Sequence, residues 1–159
     1  LPVVIDGQPA GEMLGLGLIR VGGETASEAP PRTPDGAQPV FGDAIRLEGL
    51  RVEREGSQLQ IEAWWRVTAP LQTDLTAFVH LYDAEGALLD TGDAPPLGGA
   101  YPTSMWQVGD VIADTYGLSW QEGALSVGLG WYDPASDARL PAEDAAGQLT
   151  DDAYRFAVR

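Results

Sequence analysis

The chain has 159 residues, a formal net charge of −15 at pH 7 and no cysteine. This length suits one domain that can bury a core, and the absence of cysteine excludes disulfides, thiolate metal sites and cysteine nucleophiles. The charge argues against nucleic acid and anionic membranes as partners, because phosphate binding needs a basic face. A cation, or a neutral ligand such as a sugar, fits better, although we favour the alternative that the charge serves solubility alone. No apolar run approaches the roughly 20 residues of a membrane span, so we expect no direct membrane insertion by this chain.

The first 40 residues differ in composition from the rest. Residues 22–40, GGETASEAPPRTPDGAQPV, are rich in Pro, Gly and Ala and have no apolar period, which is typical of a linker or a surface strap. Residues 1–21 precede this segment as an N-terminal strand, and the main domain is therefore predicted at residues 41–159.

Residues 1–21 also resemble the end of the chain. Leu1-Pro2 matches Leu140-Pro141, and Gly7-Gln8 matches Gly147-Gln148 with a slip of one residue. The match predicts that residues 1–21 are the tail of a preceding module. An extra strand folded back on this module, or chance similarity, would be the alternatives.

From Phe41 onward the apolar residues alternate as in β-strands. In AIRLEGLRVE (44–53) the alternation slips by one residue at Gly49, which predicts a β-bulge. Further strands are predicted at QLQIEAWWRV (58–67), LTAFVHLYD (75–83), ALLDTGD (87–93), DVIADTYGLSW (110–120), ALSVGLGWYD (124–133) and AYRFAV (153–158). Turn residues between short strands predict an all-β, antiparallel β-sandwich of about seven or eight strands, with immunoglobulin-like or jelly-roll wiring.

Four segments carry a resemblance to a known family: FGDAIRLEGLRV (41–52), AFVHLYDAEGALL (77–89), DAPPLGGAYPTSMWQVGDVIADTYGL (93–118) and VGLGWYDPASDARLP (127–141). They resemble an extracytoplasmic β-sandwich module at the C-terminal end of bacterial membrane glycosyltransferases of the mannosyltransferase-like family. The resemblance implies a location at the cell surface or in the periplasm, attached to a membrane protein whose neighbouring domains are its partners. That module has no assigned catalytic residues, so none are carried over.

Adjacent tryptophans on one strand point to opposite faces. The alternation assigns Trp65 to the core and Trp64 to the other face, together with Glu62 and Arg66. An outward tryptophan can stack on a sugar ring while charged neighbours bond its hydroxyls, so these three residues are a candidate glycan platform. Alternatively, Trp64 is covered by the strap, by the N-terminal strand or by a partner domain.

The long loop at residues 93–109 holds two further candidate ligand contacts, Tyr101 and Trp106. Loops on a rigid sandwich often carry binding groups, but a tryptophan in a loop rich in Pro and Gly can instead plug one end of the sandwich, which we favour.

The acids give a weaker signal. Asp133, Asp137 and Asp144, in DPASDARLPAED (133–144), come nearest to a Ca²⁺ loop, although the chain lacks EF-hand spacing. Solvated turn acids are the default interpretation, and we expect no cofactor.

No residue pattern indicates catalysis. His80 is the sole histidine, no G-x-S-x-G is present, and no spacing selects a carboxylate pair for glycoside hydrolysis among Glu62, Glu122 and Glu143. We therefore expect a non-catalytic accessory module of a cell-envelope glycosyltransferase system that contacts glycan or positions a neighbour. A structural or protein-interaction spacer in a tandem array is the alternative, and a small glycoside hydrolase is the third.

Overall fold

A computed structural model describes residues 29–144 and 146–158, together with two short N-terminal strands. The strands are β1 (Val4–Ile5), β2 (Gln8–Pro9), β3 (Val40–Phe41), β4 (Ile45–Glu55), β5 (Gln58–Val67), β6 (Thr76–Tyr82), β7 (Leu88–Thr91), β8 (Val111–Ser119), β9 (Ser126–Asp133), β10 (Ala138–Arg139), β11 (Ala142–Glu143), β12 (Leu149–Asp151) and β13 (Tyr154–Ala157). Two 3₁₀ helices, Pro96–Gly99 and Thr103–Met105, lie between β7 and β8. Among these residues no helix is long and apolar enough to cross a membrane.

The strands from β3 onward form two antiparallel sheets. One has six strands in the order β12-β11-β3-β4-β5-β8, and the other has five, in the order β10-β9-β6-β7 with β13 also paired to β9. The predicted all-β antiparallel sandwich is confirmed. The strands predicted by alternation correspond to β4 through β9 and to β13, the strands of four or more residues.

The core lies between the two sheets and is centred on aromatic rings. Trp65 of β5 meets Trp131 of β9 edge to face, with ring centroids 5.1 Å apart, and both side chains have no exposed surface. The indole N–H of Trp65 donates to the hydroxyl of Tyr116 on β8 at 3.1 Å. Burial raises the pKa of the Tyr116 hydroxyl, and the charge of Asp114 raises it further. The centre of the core is therefore filled by aromatic rings packed edge to face, and it contains one buried hydrogen-bonded pair, Trp65 and Tyr116.

The predicted β-bulge is present on β4. Leu47 pairs with Trp65 and Gly49 pairs with Trp64, so one extra residue, Glu48, stands between them. The insertion lets Leu47 and Leu50 both face the core, which a regular strand would forbid because side chains alternate.

Several short elements were not predicted. Residues 133–152, where the alternating pattern predicts no strand, contain β10, β11 and β12, and β3 begins at Val40, the last residue of the predicted linker. Strands of two or three residues are too short to show an alternating pattern, because their pairing depends on the partner strand rather than on their own sequence.

The N-terminal segment is described only in part. β1 pairs with β2 in a separate two-stranded antiparallel sheet, with Val4 opposite Pro9 and Ile5 opposite Gln8. Apart from β1 and β2, the predicted N-terminal strand (residues 1–21) lies outside the described residues, as do residues 22–28 of the predicted linker.

Candidate functional site

The candidate glycan platform lies on the outer face of the six-stranded sheet, as alternation along β5 predicts. Trp64, however, is only 6% exposed, which agrees with the alternative that its ring is covered. It stands apart from the hydrophobic core cluster. The guanidinium of Arg51 stands over its ring, 5.4 Å from the ring centroid. The ring therefore has no free face on which a sugar could stack without moving other groups.

Part of the strap lies on the sheet beside Trp64. Gly49, the residue paired with Trp64, touches Pro30 and Pro31, and a Cβ at Gly49 would overlap the Pro31 carbonyl oxygen. The N–H of Leu50 donates to that same oxygen at 3.2 Å. Glycine is needed at position 49 because the strap backbone occupies the space of its side chain.

The strap is fastened at other points. The hydroxyl of Tyr154 donates to Asp35 at 2.6 Å, which joins the strap to β13. Thr33 is 5% exposed and donates to the Ala37 carbonyl at 2.5 Å. Burial raises the pKa of Asp35, but hydrogen bonds from Tyr154 and from the strap backbone outweigh it, so the pKa lies below its usual value. The described strap residues are thus an integral part of the domain.

The two charged members of the platform each have a different partner. Arg66 forms a two-point ion pair with Glu48, and hydrogen bonding to Glu48 raises the pKa of the guanidinium. Glu62 pairs with Arg51 at 3.0 Å. Glu62 and Arg66 therefore share a face with Trp64 but do not converge on a common point above it.

A groove of about 270 Å³ lies on this face, lined by Arg51, Glu53, Gln60, Glu62 and Thr115. Its walls are charged or polar, and it includes one residue of the predicted platform. A larger groove of about 410 Å³ lies toward the other end of the sheet, where Arg46 stands among Asp43, Glu143 and Asp144. Both offer hydrogen-bonding groups without an aromatic wall.

The long loop closes one end of the sandwich. Trp106 is 4% exposed, packs edge to face on Trp131 with centroids 5.6 Å apart, and donates its indole N–H to the Tyr101 carbonyl at 2.9 Å. Tyr101 is half-buried, and its hydroxyl lies 3.2 Å from a carboxylate oxygen of Asp110. The preference for a plug over a ligand contact agrees with this placement of Trp106.

Sequence reasoning missed Thr103, a residue without any exposed surface. Its hydroxyl donates to the Thr73 carbonyl at 2.7 Å and accepts from the Leu75 N–H at 2.8 Å. It therefore anchors the plug loop to the segment before β6. The Pro-Thr-Ser sequence gave no signal of this because the bonds reach residues about 30 positions earlier.

The candidate cation ligands organise turns. Asp133 accepts from the Ala135 N–H at 2.9 Å, and Asp144 accepts from the Gln148 N–H at 2.9 Å. Asp137 has a positive φ of 57°, as expected for a turn residue. In the part of the chain that the structure describes, no group of three or more acidic or histidine side chains could hold a metal ion.

The aromatic side chains as a group are covered. The three Phe, five Tyr and five Trp all lie within the described residues, and each is buried or half-buried. Four rings lie under arginine guanidiniums, in the pairs Arg51–Trp64, Arg54–Trp120, Arg139–Phe78 and Arg155–Tyr82. A planar guanidinium stacks on a ring and keeps its hydrogen-bond donors in water. These arginines therefore present a cationic surface where exposed rings would otherwise stand.

The outer face of the five-stranded sheet carries His80. It lies between Phe78 and Tyr82, 3.0 Å from Asp93 and 3.2 Å from the Tyr82 hydroxyl. Burial lowers its pKa below the usual value, and although the charge of Asp93 opposes this, the nearby charge of Arg139 adds to it. His80 is therefore held between two aromatic side chains, with Asp93 and the Tyr82 hydroxyl as its polar neighbours.

Comparison with known proteins finds no matching family model, no similar curated protein and no similar solved structure.

Proposed function

We propose that this chain is a non-catalytic accessory β-sandwich of a cell-envelope glycosyltransferase system, extracytoplasmic and attached to a larger membrane protein. It would act through contacts with neighbouring domains, as a spacer or interaction module, rather than by stacking on a glycan. The observation that carries this preference is that every aromatic side chain is buried or half-buried and four are covered by arginine.

The transferase association depends on the sequence resemblance. The segments that carry it contribute to β4, β6, β8 and β9 and to the plug loop, where Pro96, Thr103 and Trp106 are buried. The most specific segment therefore has a structural role within this fold. This supports a shared fold with the module that the chain resembles, and it assigns no ligand-binding group.

Deletion of residues 41–159 from the membrane protein that contains them tests the association. If the domain positions its neighbours, the deletion should lower the amount of assembled enzyme at least several-fold and leave the turnover of the remaining enzyme unchanged. An unchanged amount with a reduced turnover would instead point to a direct part in the reaction. A membrane protein without transferase activity would end the proposal.

A second candidate function is glycan binding in the 270 Å³ groove beside Trp64. The groove favours it because Arg51, Gln60 and Glu62 offer both donors and acceptors for hydroxyl groups next to a tryptophan. Movement of Arg51 would uncover the ring.

Titration of the purified chain with an array of mannosides and other hexosides tests this candidate. Glu62→Gln should weaken binding about tenfold, which corresponds to about 1.4 kcal/mol. Glu85→Gln, an exposed acid in the turn after β6, is the matched control. Equal binding by the two variants, or no binding at millimolar sugar, would exclude this groove and leave the interaction role.

A further inference from the structure

The groove of about 270 Å³ continues into a second groove along the six-stranded sheet. The second groove has a volume of about 260 Å³, and the two share Glu53 and Gln60 as walls. The second is also lined by Glu55, Gln58, Leu59 and Gly117. Each volume alone falls just below the range of roughly 300–1,000 Å³ that ligand sites occupy, whereas the two together fall within it. The two grooves together, the β5 trench, therefore have the size of a ligand site.

The pairing of three strands builds the β5 trench. Each outward residue of β5 lies between one residue of β4 and one of β8, so that the side chains form rows across the sheet. The rows are Glu55–Gln58–Ser119, Glu53–Gln60–Gly117 and Arg51–Glu62–Thr115. The β8 members are small and the others are long and polar, so the trench is low on its β8 side. From Gln58 to Glu62 the rows extend about 14 Å along the strand.

The next row closes one end of the trench. That row is Gly49–Trp64–Ala113. The strap prolines lie on Gly49, and the Arg51 guanidinium stands over the Trp64 ring while it pairs with Glu62. At the other end, residues 55–58 are exposed, and the trench opens to solvent. A chain that lies along the trench therefore ends against Arg51 and Trp64.

The walls of the trench suit neutral hydroxyl groups. The carboxylates of Glu53 and Glu62 accept hydrogen bonds, the Arg51 guanidinium donates them, and the Gln60 amide does both. Neighbouring hydroxyl groups of a sugar also donate and accept, so they match this mixture. The glutamates would repel phosphate groups, which need a basic face.

An extended peptide fits the trench less well than a glycan. Peptides bind to sheets through a free strand edge or through apolar pockets. β5, however, is paired on both sides, with β4 and with β8, and its outward residues in the trench are polar. We propose that the β5 trench binds the last few rings of a linear neutral glycan, with the chain end against Arg51 and Trp64. The proposal rests on the second candidate function, glycan binding beside Trp64, and names its ligand class.

Titration calorimetry of the purified chain with linear mannose oligomers tests the proposal. The dissociation constant should fall at least about tenfold from mannose to mannotriose, because the added rings fill the trench. It should change less than about twofold from mannotetraose to mannohexaose, because rings beyond Gln58 lie in water. Equal affinities for mannose and mannotriose would overturn the proposal and leave the single groove as a sugar site. No binding at any length would exclude the second candidate function itself.

A substitution in the middle row tests the position of the ligand. A Cβ at Gly117 meets nothing within 4 Å, so Gly117→Val should fold and fill the trench. It should weaken mannotriose binding at least about fivefold, and Gln60→Ala, which removes the amide shared by both grooves, should also weaken it. The matched control is Ala157→Val, at an exposed position of β13 on the other sheet, which should bind as the parent does. Binding by Gly117→Val or Gln60→Ala equal to that of the control would overturn the proposal.

A bulky group on one end of the ligand tests the closed end of the trench. Biotin attached to the end of mannotriose that meets Arg51 and Trp64 should abolish binding, whereas biotin on the opposite end should be tolerated. Equal affinities for the two derivatives would overturn the end-on arrangement. If pentalysine binds more tightly than mannotriose and Gly117→Val weakens its binding, the trench belongs to a basic partner and the proposal is overturned.

Discussion

Replacement of Gly49 by alanine should detach the strap from the six-stranded sheet. Gly49 is not among the residues with a positive φ, so alanine suits its own backbone. A Cβ there, however, would overlap the Pro31 carbonyl oxygen and stand 2.7 Å from the Pro30 Cβ. Because the overlapped atom belongs to the backbone, the strap itself must move. Pro30 and Pro31 would then no longer lie on the sheet beside Trp64.

The expected loss of stability follows from what the strap contributes. Loss of the hydrogen bond from Leu50 to Pro31 costs about 1 kcal/mol. Exposure of about half of the Trp64 side chain, on the order of 100 Å², costs about 2.5 kcal/mol. Because Pro30 and Pro31 keep a fixed φ, release of residues 30–32 returns conformational entropy chiefly at Arg32, roughly 1–2 kcal/mol. The net loss should be about 2 kcal/mol.

Urea denaturation and trypsin cleavage measure this effect. The denaturation midpoint should fall by about 1 M. Cleavage after Arg32, which lies in the strap, should accelerate under native conditions before the domain unfolds. The control is Gly117→Ala on β8, where a Cβ meets nothing within 4 Å. A Gly49→Ala midpoint and Arg32 cleavage rate equal to those of the control would refute the account of the strap.

Three further changes should follow from buried polar groups. Trp131→Phe should lower the free energy of unfolding, measured with urea, by at least about 1 kcal/mol less than Trp65→Phe does. The Trp131 N–H is buried and has no partner in the described residues, whereas the Trp65 N–H is hydrogen-bonded. Equal losses would contradict this reasoning. Tyr154→Phe should lower the free energy of unfolding by about 1 kcal/mol at pH 7. The difference from the parent should narrow as the pH falls through the lowered pKa of Asp35, because stability from a depressed carboxyl pKa is present only above that pKa. A difference that does not change with pH would refute the Asp35 contact. The pKa of His80, followed by NMR, should lie below 6.5. Its neutral form contributes stability that is fully present above pH 6.5 and lost as the pH falls through the lowered pKa. His80→Gln should therefore reduce the decline in the free energy of unfolding between about pH 7 and 5. An unchanged decline would be inconsistent with a buried neutral ring.

The period-two pattern was sufficient to predict the sandwich and the inward side of its long strands. Along β5 it assigned Trp65 to the core and Trp64 to the outer face, and both assignments are confirmed. It could not predict what covers Trp64. The cover comes from residues distant in sequence, and a proline-rich segment carries no apolar period that would link it to a particular sheet.

Gly49 has two structural roles, and the sequence pattern predicted only one of them. The slip in alternation identified the bulge, but the contact with Pro31 also requires glycine there. The candidate acids behaved in the opposite way. Asp133 and Asp144 accept hydrogen bonds in turns, as expected, and no three described acids lie close enough together to hold a metal ion. Turn hydrogen bonds join residues close in the sequence and can be predicted from it. Whether acids from separate loops meet depends on the folded structure.

The strap also has a mechanical consequence. Ahead of Gln38 it is joined to the rest of the domain through single hydrogen bonds at Leu50 and Tyr154, so tension applied to the chain ahead of Ala29 would load these bonds one after another rather than together. Release of residues 30–37 would add roughly 26–29 Å of extended chain before the pull reached the bonds that Gln38 and Pro39 make with β4. A domain so attached can yield to traction from its neighbour and recover while its two sheets remain intact.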